Sequence, residues 1–296
     1  MVVIAPDLGL RAAGNARRVL ACEDGSELGY WTVGSAGPAI VCVNAHGHDL
    51  LVFSSLVELL ARRHRVIAWK PRGTFEDRRP AHTLFDQVRD LERIVKREGL
   101  AECSLVTWCA GAKVAIEFAR RNALARSLVL TSGTFTRVPG LERLETPFEK
   151  TMEELCRTVV KKPMLASMMM NAMRSLLGVS AGQEESALSS LVAEPFQSPA
   201  TTLRYAAQCV DYLAHDISPA LIELEIPALV VSGQNDRTSS PEMARAIAER
   251  LRFGTYEEIP SGSHYCLYES AEEAAGRIES FLARTATPAD AGEVAR

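Results

Sequence analysis

The chain has 296 residues, of which 47% are hydrophobic and 24% are charged. This composition excludes extensive disorder, and the length allows one large α/β domain with an insertion or two modest domains. The formal net charge of −4 provides no broad cationic field. We therefore expect a small-molecule substrate, and neither a nucleic-acid nor a membrane partner.

The cysteines form no C-x-x-C pair and no regular spacing of the kind that zinc sites and disulfide frameworks show. We expect reduced thiols, with no metal ion and no cofactor. Pro6 and Asp7 interrupt the short apolar start of the chain, so it is too short for a membrane span. Together these features predict a cytoplasmic protein. The seven cysteines are Cys22, Cys42, Cys103, Cys109, Cys156, Cys209 and Cys266.

Short apolar runs alternate with longer amphipathic segments over most of the chain. Two segments around Asp24-Gly25 first predict a β-hairpin. The later pattern is typical of buried parallel strands joined by crossover helices, so we expect a mostly parallel, doubly wound α/β sheet. The expected strands are 18–23, 28–33, 39–43, 66–69, 105–108, 128–131, 228–232 and 254–259. The expected helices between and after them are 53–64, 83–98, 110–122, 242–251 and 271–282.

One interval is far longer than a crossover needs. Residues 136–220 lie between two predicted strands and contain helix-compatible stretches at 147–162, 164–177, 184–192 and 199–214. We interpret this interval as an inserted helical cap. The predicted organisation is a core in two parts, 1–135 and 221–284, with the cap at 136–220 and a flexible tail at 285–296.

A nucleophile is predicted where the strand at 105–108 ends. The segment Thr-Trp-Cys-Ala-Gly at 107–111 leads into a helix, and a nucleophile at such a sharp turn needs small neighbours. Gly111 meets this demand fully and Thr107 approximately. The segment resembles the nucleophile elbow of the α/β-hydrolase superfamily, with Cys109 where most members carry serine. The alternative is a buried structural cysteine.

Two later loops are similar to the acid and base loops of the same family. Asp236 follows the predicted strand 228–232, where the family's acid would orient an imidazole. His264 lies in a Gly-Ser-His segment similar to the family's Gly-x-His loop, and it would take the thiol proton or form an ion pair with the thiolate, then pass the proton to the leaving group. The resemblance therefore implies a triad of Cys109, His264 and Asp236. The alternatives are a turn carboxylate and a structural histidine.

Acyl transfer also needs two backbone N–H donors where negative charge develops. Ala110, directly after the nucleophile, would supply one. The segment Asn-Ala-His-Gly-His at 44–48 resembles the His-Gly-x turn of many family members, and it implies the amide of His48 as the second donor. His46 and His48 could instead bind a metal ion, but no third ligand is nearby and Gly47 favours a turn.

Three residues are candidates for the acyl pocket. Trp108 either lines the pocket or packs against the sheet. Met168 and Met173 belong to a methionine cluster in the predicted cap, and such flexible thioethers can line an adaptable apolar pocket. Packing within the cap core is the alternative for both.

The fold alone does not determine the reaction, but Cys109 excludes reactions that need a carboxylate nucleophile. The resemblance implies a hydrolase that acts on an ester, thioester or lactone, free or carrier-bound, through an acyl-cysteine. A thioester intermediate is also open to amines and thiols, so an acyltransferase or cyclase of the thioesterase type is the second interpretation. The third is a non-catalytic relative that binds a small ligand, which the complete triad disfavours.

Overall fold

The computed structural model describes residues 16–75, 83–177 and 187–285, which contain one eight-stranded sheet. The strands are β1 (Ala16–Ala21), β2 (Glu27–Val33), β3 (Ala39–Val43), β4 (Arg65–Trp69), β5 (Cys103–Trp108), β6 (Ala125–Thr131), β7 (Ala228–Gly233) and β8 (Gly254–Ile259). Their order is β1-β2-β4-β3-β5-β6-β7-β8. Strand β2 is antiparallel to β1 and β4, and the other neighbours are parallel. The predicted mostly parallel α/β sheet is confirmed.

Helices cover the sheet and fill the long interval between β6 and β7. They are α1 (Ser54–Leu60), α2 (Leu84–Arg97), α3 (Gly111–Arg121), α4 (Pro147–Lys161), α5 (Ala166–Leu176), α6 (Ala187–Ala193), α7 (Pro199–Ala214), α8 (Ser218–Glu223), α9 (Pro241–Arg250), α10 (Cys266–Glu269) and α11 (Ala271–Thr285). Helices α1 and α11 pack together, and α2, α3, α8 and α9 pack in succession. Every residue of β5 and β7 is buried, which explains their continuous apolar sequences.

Some helices differ from their predicted bounds. The segment predicted at 53–64 starts earlier, as a 3-10 turn at Leu50–Phe53, because the side chain of Asp49 accepts a hydrogen bond from the Leu50 amide. It also ends earlier, at Leu60. In the cap, Pro163 starts a 3-10 turn before α5. Residues 184–186 of the predicted helix 184–192 lie outside the described residues.

The helices between β6 and β7 have a small core of their own. Helix α7 packs against α4 and α5, and none of these three belongs to the sheet layers. This core consists of Met152, Cys156, Val159, Ala166, Met169, Met173, Phe196, Ala206, Cys209 and Leu213. The proposed domain limits at 136 and 220 stay a prediction, and the expected tail lies outside the described residues apart from Thr285.

The sheet brings five loops to one edge. Strands β3, β5, β6, β7 and β8 are parallel neighbours, so the loops that follow their carboxyl ends lie side by side. In α/β sheets this edge is where ligands bind. All the predicted catalytic and oxyanion-hole residues follow one of these strands.

The close packing of α3 on the β3 loop leads to a prediction about Gly111. A methyl group on Gly111 would lie 2.2 Å from the Val43 carbonyl oxygen and 2.9 Å from that of Asn44. Because both atoms belong to the backbone, we expect Gly111→Ala to lower the free energy of unfolding by about 3 kcal/mol or more. The measurement is urea-induced unfolding.

Gly276 provides the matched control. It lies on the exposed side of α11, and an added methyl group would meet no atom within 4 Å. Gly276→Ala is expected to raise the free energy of unfolding by about 0.5 to 1 kcal/mol. Equal effects of the two substitutions would contradict the close approach at Gly111.

Candidate active site

Cys109 lies at a sharp turn between β5 and α3. Its φ angle is 52°, in the left-handed region that residues with a side chain rarely adopt. The turn projects the sulfur beyond the edge of the sheet, at the N-terminus of α3. Cys109 is partly exposed, whereas the other six cysteines are buried. Its environment therefore differs from that of a structural core cysteine.

His264 and Asp236 lie next to each other on the loops after β8 and β7. His264 Nδ1 lies 2.9 Å from Asp236 Oδ2, and both side chains are almost completely buried. The other carboxylate oxygen accepts hydrogen bonds from the backbone amides of Thr238 and Ser239, both at 2.9 Å. Because a carboxylate only accepts, Nδ1 carries the hydrogen and Nε2 is left for a second partner.

Cys109 lies close enough to the imidazole to affect its pKa. Burial alone lowers the pKa of His264, but the charges of Asp236 and Cys109 and the hydrogen bonds to both outweigh it and hold that pKa well above 6.5. The structure thus brings together the three residues that the sequence predicted as a triad. Their catalytic roles stay a prediction at this point.

A hydroxyl group contacts the sulfur on the β6 side. Cys109 Sγ lies 3.3 Å from Thr134 Oγ1, which in turn lies 3.3 Å from Ser239 Oγ. Ser239 also donates its backbone amide to Asp236, so two hydroxyls connect the sulfur with the loop that carries the carboxylate. The sequence analysis missed Thr134, because it is 25 residues from Cys109 and belongs to no recognisable motif.

A cavity next to Cys109 is lined by both residues whose amides were predicted to form an oxyanion hole, Ala110 and His48. Within the described part of the chain neither amide donates a hydrogen bond. Asn44 orients the loop that carries His48, because its Nδ2 donates to the carbonyl oxygens of His48, at 3.1 Å, and Asp49, at 2.7 Å. The role of these two amides as an oxyanion hole stays a prediction.

The cap also holds this loop. Glu194 Oε2 accepts a hydrogen bond of 2.7 Å from the Asp49 amide and lies 3.5 Å from His48 Nδ1. The same His48 nitrogen lies 3.2 Å from the carbonyl oxygen of Leu191. Asn44 and Glu194 were not predicted, since their contacts depend on how the cap packs on the β3 loop.

A cavity of about 340 Å³ lies between the cap and Cys109. His264 and Thr134 lie at its catalytic end. Its remaining wall is mainly apolar, which suits an acyl chain. The apolar residues of this wall include Phe148, Met152, Met173, Leu177, Val192 and Phe196.

The three pocket predictions have different outcomes. Met173 lines the cavity, and Trp108 both lines it and packs, with its Nε1 donating a 2.9 Å hydrogen bond to the His264 carbonyl oxygen. The prediction was wrong for Met168, which is 64% exposed on the outer side of α5. Five positions separate the two methionines, and at 3.6 residues per turn this spacing places them on different sides of the helix.

His46 is buried against two aromatic rings. Its ring stacks on Tyr205 and packs against Tyr212, with centroid distances of 5.0 and 4.6 Å. Burial is the main cause that lowers its pKa to about 3, so the ring is neutral. Among the described residues, no group of three or more His, Cys, Asp or Glu side chains is arranged to hold a metal ion.

Comparisons with known proteins point to one family. The profile of the alpha/beta hydrolase family matches residues 40–277, whereas no curated protein matches the chain. Similar solved structures include an enol-lactonase from Burkholderia xenovorans LB400, with 21% identity, coverage of 90% of this chain and 100% of that one, and a TM-score of 0.69. An esterase from Thermogutta terrifontis has 21% identity, coverage of 92% and 100%, and a TM-score of 0.69. A hydrolase from Pseudomonas aeruginosa PA01 has 20% identity, coverage of 91% and 99%, and a TM-score of 0.71.

The difference in exposure among the cysteines predicts selective alkylation. Burial raises the pKa of Cys42 to about 12 and is the main cause that raises the pKa of Cys103 to about 12, so both thiols are protonated and inaccessible. We expect sub-stoichiometric iodoacetamide to label Cys109 first, as peptide mapping would show. Earlier labelling of Cys42 or Cys103 would contradict the geometry of the turn.

Proposed function

This chain belongs to the alpha/beta hydrolase family, and on that basis we propose that it hydrolyses an ester, thioester or lactone through a covalent acyl-Cys109 intermediate. The observation that supports the proposal most directly is the arrangement of side chains around Cys109, at one end of the cavity. The sulfur of Cys109 lies near an imidazole that is hydrogen-bonded to a buried carboxylate. This arrangement serves nucleophilic acyl transfer. The similarity to an enol-lactonase and an esterase supports only the shared fold. The proposed reaction follows from the residues of the site.

In the acylation step the sulfur of Cys109 attacks the substrate's carbonyl carbon. The thiol proton is already on His264 Nε2, as the raised pKa of that ring implies, and the carbonyl oxygen becomes an oxyanion that the amides of Ala110 and His48 stabilise. The bond to the leaving group then breaks, and the proton on Nε2 passes to the leaving oxygen or sulfur. Asp236 holds the ring in the required tautomer and stabilises the imidazolium.

In the deacylation step a water molecule attacks the thioester. His264 Nε2 removes a proton from this water, and the same two amides stabilise the second oxyanion. Collapse of this intermediate breaks the carbon–sulfur bond, releases the carboxylic acid and returns the proton to the Cys109 sulfur. Thr134 donates its hydroxyl hydrogen to the sulfur while the charge is there.

Transfer to another acceptor is the second candidate function, and the sulfur at position 109 favours it. A thioester is more reactive toward amines and thiols than the oxyester of a serine enzyme. An acceptor held in the cavity can have an effective molarity of about 10⁵ M or more, which exceeds the concentration of water. An acyltransferase or cyclase would use the same three residues.

The acyl-enzyme is the testable species of this proposal. After incubation with small activated esters and thioesters, we expect intact-mass analysis to show one acyl adduct, and peptide mapping to place it on Cys109. Cys109→Ala should abolish the adduct and lower turnover by about 10³-fold or more. Cys22→Ala, which removes a buried thiol in the hairpin, is the matched control and should retain turnover.

Product analysis with an added amine separates hydrolysis from transfer. We expect water to be the main acceptor, with a measurable amide product that decreases in Cys109→Ser because an oxyester resists aminolysis. Acid alone in both variants would identify a plain hydrolase. Absence of an adduct with every ester and thioester would contradict the catalytic proposal and leave a ligand-binding protein.

The two methionines of α5 test whether the cap selects the acyl group. Met173 is buried against the cavity, whereas Met168 is exposed on the outer side of the same helix. Met173→Ala should enlarge the cavity and shift kcat/KM toward longer acyl chains by about ten-fold. Met168→Ala is the control and should leave the chain-length profile of soluble esters unchanged. Identical profiles for both variants would contradict the assignment of Met173 to the acyl pocket.

A further inference from the structure

Exposed apolar side chains are concentrated on one part of the cap. In the described residues seven large apolar side chains are exposed, and four of them lie between residues 160 and 176. We call these four the outer cap stripe: Val160, Met164, Met168 and Leu176. The exposure of Met164, at 84%, is the highest of the seven. Isolated exposed apolar residues are ordinary, but such a cluster marks an interaction surface.

Helix α5 carries apolar side chains on both of its sides. Its inner side buries Ala166, Met169 and Met173 in the cap core. Its outer side carries Met168 and Leu176 among the exposed polar residues Ser167, Asn171 and Ser175, with Met164 in the turn just before the helix. A surface helix normally has a polar outer side, so large apolar side chains exposed there favour a contact surface.

The charge around the stripe indicates the chemistry of a partner. Residues 155–177 contain four basic and no acidic residues, although the whole chain has a net charge of −4. Lys161 and Lys162 are exposed and form no ion pair with any residue that the structure describes. Arg157 is paired with Glu153 at 2.8 Å. The two lysines thus offer positive charge beside exposed apolar side chains.

We propose that the outer cap stripe binds the surface of an anionic lipid bilayer, a partner that the net charge of the whole chain did not lead us to expect. Shallow insertion of apolar side chains next to lysines is how amphipathic surface helices bind such bilayers. Within 16–75, 83–177 and 187–285 no helix is long and apolar enough to cross a membrane, so contact would be at the surface. A stable protein interface uses about 20 to 30 residues on each side, many more than the stripe and its lysines provide.

The location of the stripe connects lipid binding with the cavity. Met173 and Leu177, at the inner side and the end of α5, line the cavity above Cys109. A bilayer on the outer side would lie one helix away from the acyl pocket. This connection rests on the proposed function and would favour acyl substrates that partition into lipid. The binding itself does not depend on catalysis.

Co-sedimentation with vesicles tests the binding. The full-length protein should sediment with phosphatidylglycerol–phosphatidylcholine vesicles and much less with phosphatidylcholine alone. The double variant Met164→Ser/Met168→Ser should bind at least about ten-fold more weakly. Ile222→Ser is the matched control, because Ile222 is 77% exposed on α8, outside the stripe, and it should bind as the wild type does. Thermal unfolding checks that all variants are folded.

A second pair of variants tests the charge. Lys161→Gln/Lys162→Gln should weaken binding about 30-fold, since each surface lysine contributes about 1 kcal/mol. The exposed pair Lys96→Gln/Arg97→Gln on α2 removes the same charge elsewhere and should have a much smaller effect. Cys109→Ala should bind like the wild type, which separates this proposal from the catalytic one.

Three results would overturn the proposal. The first is no sedimentation with either kind of vesicle, and the second is equal binding by the stripe variants and their controls. The third concerns a second copy of the chain as the occupant. A dimer in analytical ultracentrifugation that Met164→Ser/Met168→Ser converts to monomer would assign the stripe to self-association instead.

Discussion

The left-handed backbone at Cys109 is the constraint on which the site depends. A φ of 52° at this position lets β5 turn at once into α3, and Gly111 then lets α3 begin against the carbonyl oxygen of Val43. The same turn places the sulfur between the imidazole of His264 and the hydroxyl of Thr134. Such a conformation costs about 1 to 3 kcal/mol and persists because the packing on both sides enforces it. The strained turn therefore determines both the packing of α3 on the sheet and the position of the proposed nucleophile.

The same helix also connects the sheet to the cap. Lys113, one turn after the nucleophile, is buried and donates to the carbonyl oxygens of Tyr212, at 2.9 Å, and His215, at 3.0 Å, where α7 ends. Burial lowers its pKa to about 8, but these carbonyl groups stabilise the ammonium form. Glu117, a further turn along α3, lies 2.9 Å from His215 Nε2. Helix α3 thus contacts both the turn at Cys109 and the end of α7.

The sequence allowed the sheet to be predicted, and also the proximity of Cys109, Asp236 and His264, because both depend on local patterns. Apolar runs mark the strands, and the residues after them, Cys109, Asp236 and His264, stand in recognisable segments. The prediction failed for Met168 because a cluster of methionines does not reveal which side of α5 faces the cavity. The contacts of Glu194 with the β3 loop join residues 145 positions apart, and no local pattern indicates them. Tertiary packing alone determines such contacts.

In the proposed triad, the charges of Cys109 and Asp236 both raise the pKa of His264. Carbon-13 NMR of labelled histidine tests it directly, because the imidazole of His264 should stay protonated well above its ordinary pKa near 6.5. The sign follows from the two negative partners, which favour the charged ring, so Asp236→Asn and Cys109→Ala should each lower this pKa. A pKa of His264 near 6.5 in the wild type and in both variants would contradict this electrostatic coupling.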